Sequence, residues 1–442
     1  MKTWSRRDKR LVALVLALGL VLRLVPALTL PPPPIGGDAV VYEAVAWNLA
    51  NGRGYTMDEA PPHRPNLFRP PSYPFFIASV YALAGRQPKA VWIAQGILDA
   101  ITCTLVFAMA RRLFASRPLA LASLALAACL LPSQVYARYL IPDTFAAFLL
   151  ALLAWLWLQG KRKGPKHGLA LGLVSGVLAY ARLEFLLFPV AIGAWLWIEK
   201  RQWRFPVWLA VGWLAVVVPW TVRNAWSAGA WTPAARGNVG AALWVGTWGE
   251  EGRLWTEEMR GGAMTYVLPP EAYDSPGEGR RARAAVHAFR KFVCEDPDAK
   301  FEGRNPGAVL RDMALERIRR NPLKWLRLRF KEAPLLWRPP FANWGDWVAN
   351  PFALNAFFGW TFFALTVGCI ALAWRDPKYH PLWVPVVYYA LAHFPFHTEF
   401  RYGATMYPLV MLLSVGFFHE LRERRAPAWA YALTGRKNRA KA

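Results

Sequence analysis

Long apolar runs constrain this sequence more than any other feature does. Segments 11–22, 144–158 and 205–218 contain no charged residue. An α-helix rises about 1.5 Å per residue, so a run of about 20 apolar residues can cross the hydrocarbon core of a bilayer. A single run near the N-terminus could be a signal peptide, whereas runs repeated along the chain predict a polytopic membrane protein.

The positions of these runs predict an all-α protein with about ten membrane-spanning helices. The first run follows a basic N-terminal segment, and no small-residue cleavage pattern follows it, so we interpret it as an uncleaved first span. The expected spans are 11–30, 90–112, 118–134, 140–159, 167–182, 184–199, 205–222, 352–374, 380–397 and 402–420.

Basic residues between the spans predict the orientation of the chain. Lys and Arg gather in alternate turns, and cytoplasmic loops carry an excess of these residues. With a cytoplasmic N-terminus, all the basic turns and the C-terminus are cytoplasmic. Segment 73–84 is too short for a comfortable span, and counting it as one would place the later basic turns outside. We expect an in-plane or re-entrant helix there, and its length leaves open whether it crosses the membrane fully.

This topology divides the chain into three parts. Residues 1–222 form an N-terminal transmembrane module with a first external loop at 31–89. Residues 223–351 form a larger external loop before the eighth span, and residues 352–442 form a C-terminal transmembrane module with a basic cytoplasmic tail. Two segments of the larger loop place Leu and aromatic residues against an Arg-rich face and predict amphipathic helices on the outer leaflet or over the spans: 280–293 and 307–333.

The net charge of +25 fits a membrane protein better than a nucleic-acid-binding one. Much of the excess lies at span ends, where Lys and Arg set topology and meet anionic lipid. We therefore expect membrane lipids, and no nucleic acid, as partners. Only Cys294 lies outside the expected spans, so no disulfide framework is expected. The sequence also has no Gly-rich phosphate loop and no Cys/His metal spacing.

A glycine stripe marks the fifth expected span. Gly168, Gly172 and Gly176 recur every four residues and therefore share one helix face. Small residues at this spacing let a neighbouring membrane helix approach closely. The stripe therefore predicts tight helix packing and no chemistry.

Polar and ionisable residues gather at the predicted external ends of the spans, although a random distribution would place half of them at the cytoplasmic ends. Such residues are costly near a membrane interior and often mark functional sites. The sequence thus predicts one outward-facing cavity to which separate turns contribute Asp38, Tyr42, Arg69, Arg138, Asp143, Arg182, Glu184, Arg223, Asn224, His393, His397, Glu399 and Arg401.

These residue types suit chemistry on a phosphate. The planar guanidinium of Arg offers paired hydrogen bonds to phosphate oxygens, and a nearby Asp can take a proton from an attacking hydroxyl. Structural interpretations remain open as well. They are helix capping for Asp38 and Asp143, snorkelling to headgroups for Arg223, an ion pair with Arg182 for Glu184, and core packing for His393.

Short motifs follow one another between about residue 36 and residue 410. They are Gly37-Asp38-Ala39-Val40-Val41-Tyr42, Arg69-Pro70-Pro71-Ser72-Tyr73-Pro74, Pro219-Trp220-Thr221-Val222-Arg223-Asn224, Asn321-Pro322 and Glu399-Phe400-Arg401-Tyr402. In this order, and on this topology, they resemble the GT-C fold glycosyltransferases. The resemblance is strongest to the bacterial branch related to protein O-mannosyltransferases and the aminoarabinose transferase of lipid A.

The resemblance implies a GT-C type helical bundle and the transfer of a sugar from a polyprenyl-phosphate carrier to a hydroxyl, with the active site outside a bacterial inner (plasma) membrane. Asp38 matches the first-loop acidic residue that acts as catalytic base or positions the acceptor. Ala39 departs from the pattern, because many relatives have a second acidic residue there. Arg69, Arg182 and Arg401 resemble basic residues around the donor phosphate.

The reaction implied by the resemblance is a single inverting displacement. A divalent metal, if the reaction uses one, would be held by Asp38 and Asp143. The prenyl chain is expected in a slot beside helix 73–84, lined by Phe75, Phe76, Trp325, Phe330 and Trp337. The residues expected to bind substrate are Tyr42, Asp143, Glu184, Arg223, Asn224, His397 and Glu399.

Two other functions compete with glycosyl transfer. A flippase or transporter of a lipid-linked sugar predicts ionisable residues in the middle of spans and internal duplication, and we identify neither in the sequence. A noncatalytic scaffold predicts that the cavity residues are dispensable. For a glycosyltransferase, the expected acceptor is a glycolipid or cell-envelope glycan, and a secreted protein is the second choice.

Overall fold

The computed structural model is built from helices and describes residues 5–33, 35–159, 164–200, 204–233, 238–247, 273, 275–294, 296, 298–337, 351–396 and 400–425. The α-helices are α1 (Arg6–Thr29), α2 (Asp38–Ala50), α3 (Ser72–Ala84), α4 (Pro88–Phe114), α5 (Arg117–Cys129), α6 (Leu131–Tyr136), α7 (Asp143–Gln159), α8 (Pro165–Ala181), α9 (Phe188–Lys200), α10 (Arg204–Ala228), α11 (Asn238–Val245), α12 (Pro276–Cys294), α13 (Pro306–Arg320), α14 (Pro322–Glu332), α15 (Pro351–Ala373), α16 (His380–His393) and α17 (Tyr407–Arg425). Short 3-10 turns lie at Leu183–Phe185, Ala333–Trp337 and Phe400–Met406. The described residues otherwise contain one antiparallel bridge, between Phe301 and Arg304, so the all-α prediction is confirmed for them.

Among the described residues, four helices are long and apolar enough to cross a bilayer. They lie at Arg6–Thr29, Pro88–Phe114, Arg204–Ser227 and Arg401–Arg424, and shorter apolar helices accompany them. The chain is therefore an integral membrane protein. The number of ten spans, and the three-part division of the chain, remain predictions.

Two expected spans are interrupted in the structure. The run at 118–134 is divided at Leu130, whose backbone is extended with φ −68° and ψ 103°. Pro132 then occupies the first turn of α6, where its missing amide hydrogen costs no intrahelical bond. The run at 184–199 begins as the 3-10 turn Leu183–Phe185 and continues as α9. The second interruption contributes Leu183 and Glu184 to the cavity described below.

The short apolar segment at 73–84 forms α3, a helix of 13 residues that is too short to cross a bilayer alone. It packs through Tyr73, Ile77 and Tyr81 against α2 and α4, and these three side chains are almost completely buried. The helix ends at Gly85, whose φ of 73° favours a residue without a Cβ atom. A short helix at this position is thus confirmed, and its placement in the plane of the membrane remains a prediction.

The glycine stripe packs against α10, as predicted. A Cβ atom added to Gly168 would lie 3.0 Å from the Phe205 carbonyl oxygen, and one on Gly176 would lie 2.7 Å from Val216 Cβ. At Gly172 an added Cβ would overlap the Leu209 carbonyl group. Any larger residue at these positions would force α8 and α10 apart, so the stripe sets their close contact.

Arg23 of α1 and Asp99 of α4 form a buried ion pair inside the bundle, away from the ends of both helices. Arg23 Nε donates to Asp99 Oδ2 at 2.7 Å. The two terminal nitrogens of Arg23 donate to the main-chain oxygens of Gly19 (2.7 Å), Ala128 (2.9 Å) and Ala127 (3.1 Å). The prediction that no ionisable residue lies in mid-span was therefore wrong. An arginine can remain in an apolar span because these groups replace its hydration.

The described part of the larger loop contributes α11, α12, α13 and α14. Residues Trp244, Phe289 and Leu310 belong to one buried cluster between the first three of these helices. Phe68 of the first loop joins this cluster and meets the ring of Phe289 at 5.9 Å. The expected helix at 307–333 is divided at Asn321, which precedes a proline at the start of α14.

Candidate functional site

A cavity of about 720 Å³ lies where α2, α7, α8, α11 and α16 meet. Its polar residues come from positions far apart in the sequence, and most of the candidates named from the sequence are among them. They are Asp38, Tyr42, Arg69, Asp143, Arg182, Glu184, His393, Arg401 and Tyr402. Eight of the predicted residues thus line one cavity, together with Tyr402, and their roles remain predictions.

Asp38 lies at the first residue of α2, but it does not cap that helix. Gly37 holds the capping position with a φ of 55°. The carboxylate of Asp38 instead accepts a hydrogen bond from Arg69 on Oδ1 and another from Arg401 on Oδ2, the latter at 2.9 Å. Residues separated by more than 360 positions in the chain thus form one Arg69–Asp38–Arg401 cluster.

The electrostatics of this cluster favour the charged form of Asp38. Burial by itself would raise the pKa of the Asp38 carboxyl group, but the positive charges of Arg69 and Arg401 outweigh it and hold the pKa well below its usual range. Arg69 also lies over the rings of Tyr42, at 5.1 Å, and Phe68, at 4.5 Å. Burial raises the pKa of the Tyr42 hydroxyl, so this group stays protonated and can donate a hydrogen bond.

Asp143 and Arg182 form a second ion pair on the cavity wall. Asp143 begins α7, Arg182 follows the last residue of α8, and an Arg182 terminal nitrogen donates to the Asp143 carboxylate. Arg182 also lies 3.9 Å from a carboxylate oxygen of Glu184 and 4.9 Å from the ring centre of Tyr402. The expected Arg182–Glu184 pair is therefore present, and it is the longer of the two contacts of Arg182 with carboxylates.

His393 lies on the polar wall of the cavity. Considered by itself in the sequence, this residue had been interpreted as a packed core histidine. Its side chain is buried, and Nε2 lies 3.5 Å from Glu184 Oε1. Its ring stacks on Tyr402 at 5.1 Å and meets Tyr389 edge-on at 4.4 Å. His393 is thus packed against aromatic rings and also lines the cavity. Its sequence signal was its place among the polar residues near the expected external end of the ninth span.

The remaining wall of the cavity is apolar and comes from parts of the chain other than those expected. It includes Leu183, Leu186, Leu187, Val239, Ala242, Val245, Leu391, Pro395 and Phe396. The aromatic residues expected to line a prenyl slot pack elsewhere. Phe76 stacks on Phe145 at 5.0 Å, Phe330 meets Phe394 at 5.2 Å and Trp337 meets Phe363 at 5.3 Å. Helix α11, which supplies three of the wall residues, was missing from the sequence analysis because it is only 8 residues long.

Arg223, Asn224 and Arg138 do not line the cavity. Arg223 contacts main-chain oxygens of the first loop, and Asn224 donates to the Thr232 main-chain oxygen at 2.9 Å. Arg138 donates to the Pro31 main-chain oxygen at 2.6 Å. His397 and Glu399 lie outside the described residues. The substrate-binding roles expected for Arg223 and Asn224 therefore have no support from their contacts.

A metal ion would have to compete with arginine for the carboxylates of this cavity. Asp38 is bound by Arg69 and Arg401, and Asp143 is bound by Arg182. Within the described residues no group of three or more His, Cys, Asp or Glu side chains is placed to hold a metal ion. The arrangement favours a phosphate group, whose oxygens can replace the carboxylates on the same guanidinium groups.

Comparison with known proteins gives one family match. Residues 68–222, about a third of the chain, match the family described as dolichyl-phosphate-mannose-protein mannosyltransferase. The matched region contains Arg69, Asp143, Arg182 and Glu184 of the cavity. No curated protein matches the sequence.

Solved structures show a distant likeness. The Archaeoglobus fulgidus oligosaccharyltransferase, tethered with an acceptor peptide, aligns at 14% identity and a TM-score of 0.49, covering 97% of this chain and 51% of its own. ArnT from Cupriavidus metallidurans, bound to undecaprenyl phosphate, aligns at 16% identity and a TM-score of 0.45, covering 93% of this chain and 78% of its own. This chain thus spans about half the length of the archaeal enzyme.

With identities and scores this low, neither structure identifies the activity of this chain, and the family match is the finding that bears on it. That match, the all-α bundle and the apolar helices agree with the resemblance found in the sequence motifs. The family match therefore supports the resemblance: residues 68–222 of this integral membrane protein are similar to the dolichyl-phosphate-mannose-protein mannosyltransferase family.

Proposed function

We propose that this protein transfers a sugar from a polyprenyl-phosphate donor to a hydroxyl group of a membrane glycolipid or cell-envelope glycan. The reaction would invert the configuration at the anomeric carbon. The active site would face the outside of a bacterial inner membrane, with both chain termini in the cytoplasm, as the basic turns predict.

The observation that carries this proposal is the position of Asp38 between Arg69 and Arg401, in a cavity that has one polar and one apolar wall. A lipid phosphate needs both walls, because its headgroup is charged and its chain is apolar. The description of the matched family, which names a dolichyl-phosphate sugar, supports a donor of this class.

In the proposed step, the acceptor oxygen attacks the anomeric carbon while its proton passes to the Asp38 carboxylate. The bond between the anomeric carbon and the phosphate oxygen breaks on the opposite side, and the polyprenyl phosphate leaves with the bonding electrons. Arg69 and Arg401 would stabilise the charge that develops on this phosphate. Preorganised donors of this kind are worth about 2.7–4 kcal/mol each in catalysis.

The ligand-free arrangement makes Asp38 a weak base, because two guanidinium groups stabilise its charged form. Donor binding would change this. The phosphate would compete with Asp38 for Arg69 and Arg401, and its negative charge would raise the basicity of the carboxylate. Asp38 would thus become an effective base only when a donor occupies the cavity.

The other polar residues of the cavity would bind the sugar and the acceptor. Arg182 is partly neutralised by Asp143, so we assign it a secondary contact with the donor phosphate. Tyr42, Glu184 and Asp143 offer one hydroxyl and two carboxylates to sugar hydroxyl groups.

A protein O-glycosyltransferase is the second candidate, because the matched family is described as acting on protein. A flippase is less well supported. The mid-span ion pair Arg23–Asp99 would suit a transport path, but Arg23 is fully buried and bonded to main-chain oxygens, and it does not line the cavity.

The test is transfer by purified protein supplied with a panel of polyprenyl-phosphate sugars and, separately, glycolipid, glycan and peptide acceptors. Wild type is compared with Asp38→Asn and with the control Asp58→Asn, which alters a carboxylate of the same loop that pairs with Arg64. We expect one donor to be consumed by wild type and by the control, and the product to have the inverted configuration by NMR. Consumption of no donor, or full activity of Asp38→Asn, would falsify the proposal.

A further inference from the structure

Arg223 was expected to bind substrate, yet its guanidinium group holds the backbone of the first loop. Nη1 donates to the Asn66 main-chain oxygen at 3.1 Å, and Nη2 donates to the Tyr55 main-chain oxygen at 3.2 Å. The same group lies over the rings of Tyr55, at 5.3 Å, and Trp220, at 4.8 Å. One arginine at the end of α10 therefore fixes two points of the loop that leads to Arg69.

Tyr55 and Asn66 in turn form hydrogen bonds with the main chain at Arg69. The Tyr55 hydroxyl lies 2.9 Å from the Arg69 main-chain oxygen and 3.1 Å from the Pro70 main-chain oxygen, and it donates its one hydrogen between these two acceptors. The Asn66 side-chain oxygen accepts from the Phe68 amide at 3.0 Å and from the Arg69 amide at 3.3 Å. The amide and the carbonyl of Arg69 are thus both held by residues that Arg223 contacts.

Tyr55 and Asn66 are also hydrogen-bonded to each other, and both are shielded from solvent. The Asn66 amide donates to the Tyr55 main-chain oxygen at 2.8 Å, so one oxygen accepts from both Asn66 and Arg223. Tyr55 and Asn66 are 6% and 8% exposed, and the Tyr55 ring meets Trp220 edge-on at 4.8 Å. Hydrogen bonds shielded in this way hold a backbone more firmly than exposed ones do.

From this geometry we propose that Arg223, Tyr55 and Asn66 are positioning residues that set the place of Arg69 opposite Asp38 and the donor phosphate. The assignment rests on the proposed function, in which Arg69 binds that phosphate. None of the three contributes to the cavity wall, so they would act through Arg69 and not on the substrate. A displacement of about 1 Å at a group that orients a substrate can lower a rate by about 100-fold.

The test uses the full-length protein in detergent or nanodiscs with Arg223→Gln, Tyr55→Phe and the control Arg64→Gln. Tyr55→Phe keeps the ring that Arg223 and Trp220 contact and removes only the hydroxyl that holds Arg69. Arg64 belongs to the same loop, but its side chain is 41% exposed and pairs with Asp58. Each variant is also combined with Arg69→Gln.

The first readout is amide hydrogen exchange of residues 66–69, which needs no turnover. We expect faster exchange in Arg223→Gln and unchanged exchange in Arg64→Gln. Unchanged exchange in Arg223→Gln would overturn the proposal whether or not the protein is a glycosyltransferase.

The second readout is donor-dependent transfer. We expect a loss of about 100-fold in kcat/KM for Arg223→Gln and about 10-fold for Tyr55→Phe, and no further loss when either is added to Arg69→Gln. Losses that are just as large in the Arg69→Gln background would show that these residues do not act through Arg69. Failure of the wild type to use any donor would count against the proposed function alone, because the exchange result stands separately.

Discussion

Two of the buried arginine–aspartate arrangements among the described residues have different surroundings. Arg23 and Asp99 lie inside the bundle, where the Arg23 side chain is 0% exposed and donates its other hydrogen bonds to main-chain oxygens and to the Cys103 sulfur. Asp38, Arg69 and Arg401 keep between 13% and 20% of their side-chain surface exposed and line a cavity of about 720 Å³. The first arrangement is closed by protein, and the second opens on a space where a ligand can replace one partner.

This difference shows how a buried charge can serve structure or chemistry. A closed pair has no room for a third group, so its value lies in holding α1, α4 and α5 in register. In an open cluster a phosphate can replace the carboxylate, and the positive charges of the arginines then remain paired with a negative group. The two arrangements should therefore respond in opposite ways to loss of the aspartate.

The largest effect is expected for Asp38→Asn. Loss of a general base lowers a rate by about 100- to 10,000-fold, while the amide of nearly the same shape keeps one acceptor oxygen for Arg69 or Arg401. We expect transfer activity to fall by that factor and the thermal unfolding midpoint to stay close to wild type. If Asp38→Asn lowered the thermal unfolding midpoint but left transfer activity unchanged, Asp38 would be a structural residue like Asp99.

The opposite result is expected for Asp99→Leu. Removal of one partner from a buried pair leaves Arg23 without its carboxylate and costs about 3–5 kcal/mol. Thermal unfolding in detergent should show this loss, whereas the folded fraction should keep its activity. The double variant Arg23→Met with Asp99→Leu should recover much of the stability, since two apolar residues leave no unpaired charge. Failure of the double variant to recover would argue against this account of the pair.

A smaller effect is expected for Arg401→Gln, which removes one of the two donors on Asp38 and the phosphate. Loss of one preorganised donor lowers kcat by about 100- to 1,000-fold. Steady-state kinetics with varied donor would measure it, with Arg422→Gln, an exposed position on α17, as control. Equal kinetics for the two variants would remove Arg401 from the donor site.

The smallest effect is a shift in the pH profile. Arg69 and Arg401 lower the pKa of Asp38 in the free protein, so the acid limb of kcat/KM for the donor should lie at low pH. A bound phosphate weakens this effect, so the acid limb of kcat should lie higher by about one to three pH units. The rate falls as pH decreases through each pKa, because the base must be deprotonated. If the acid limbs of kcat/KM and kcat lay at the same pH, the phosphate would not displace Asp38 from Arg69 and Arg401.

Much of the architecture was predictable because membrane helices leave a strong signal. Apolar runs revealed the long apolar helices, and the glycine stripe of α8 correctly predicted close packing, against α10. Local breaks were harder to predict. The division at Leu130 and the short helix α11 involve few residues, and few residues give little periodic pattern.

The cavity residues were partly predictable for a different reason. Charged side chains are rare at membrane depth, so each one was conspicuous, and Asp38, Arg69, Arg182 and Arg401 were all found in this way. The same criterion overlooked Arg23. The cost of burying its charge is offset by partners in α4 and α5 that are 76 or more positions away in the chain. It also misassigned Arg223, whose contacts with Tyr55 and Asn66 cross from α10 to the first loop.

The sequence by itself determined that this chain enters a membrane as helices and that its reactive groups gather at one end of them. Both properties follow from local quantities, namely the hydropathy of about 20 consecutive residues and the cost of burying a charge. Only the tertiary structure decided which arginine meets which aspartate, which wall of the cavity is apolar and which arginine supports another. Those choices depend on distances of a few ångströms between side chains that lie far apart in the sequence.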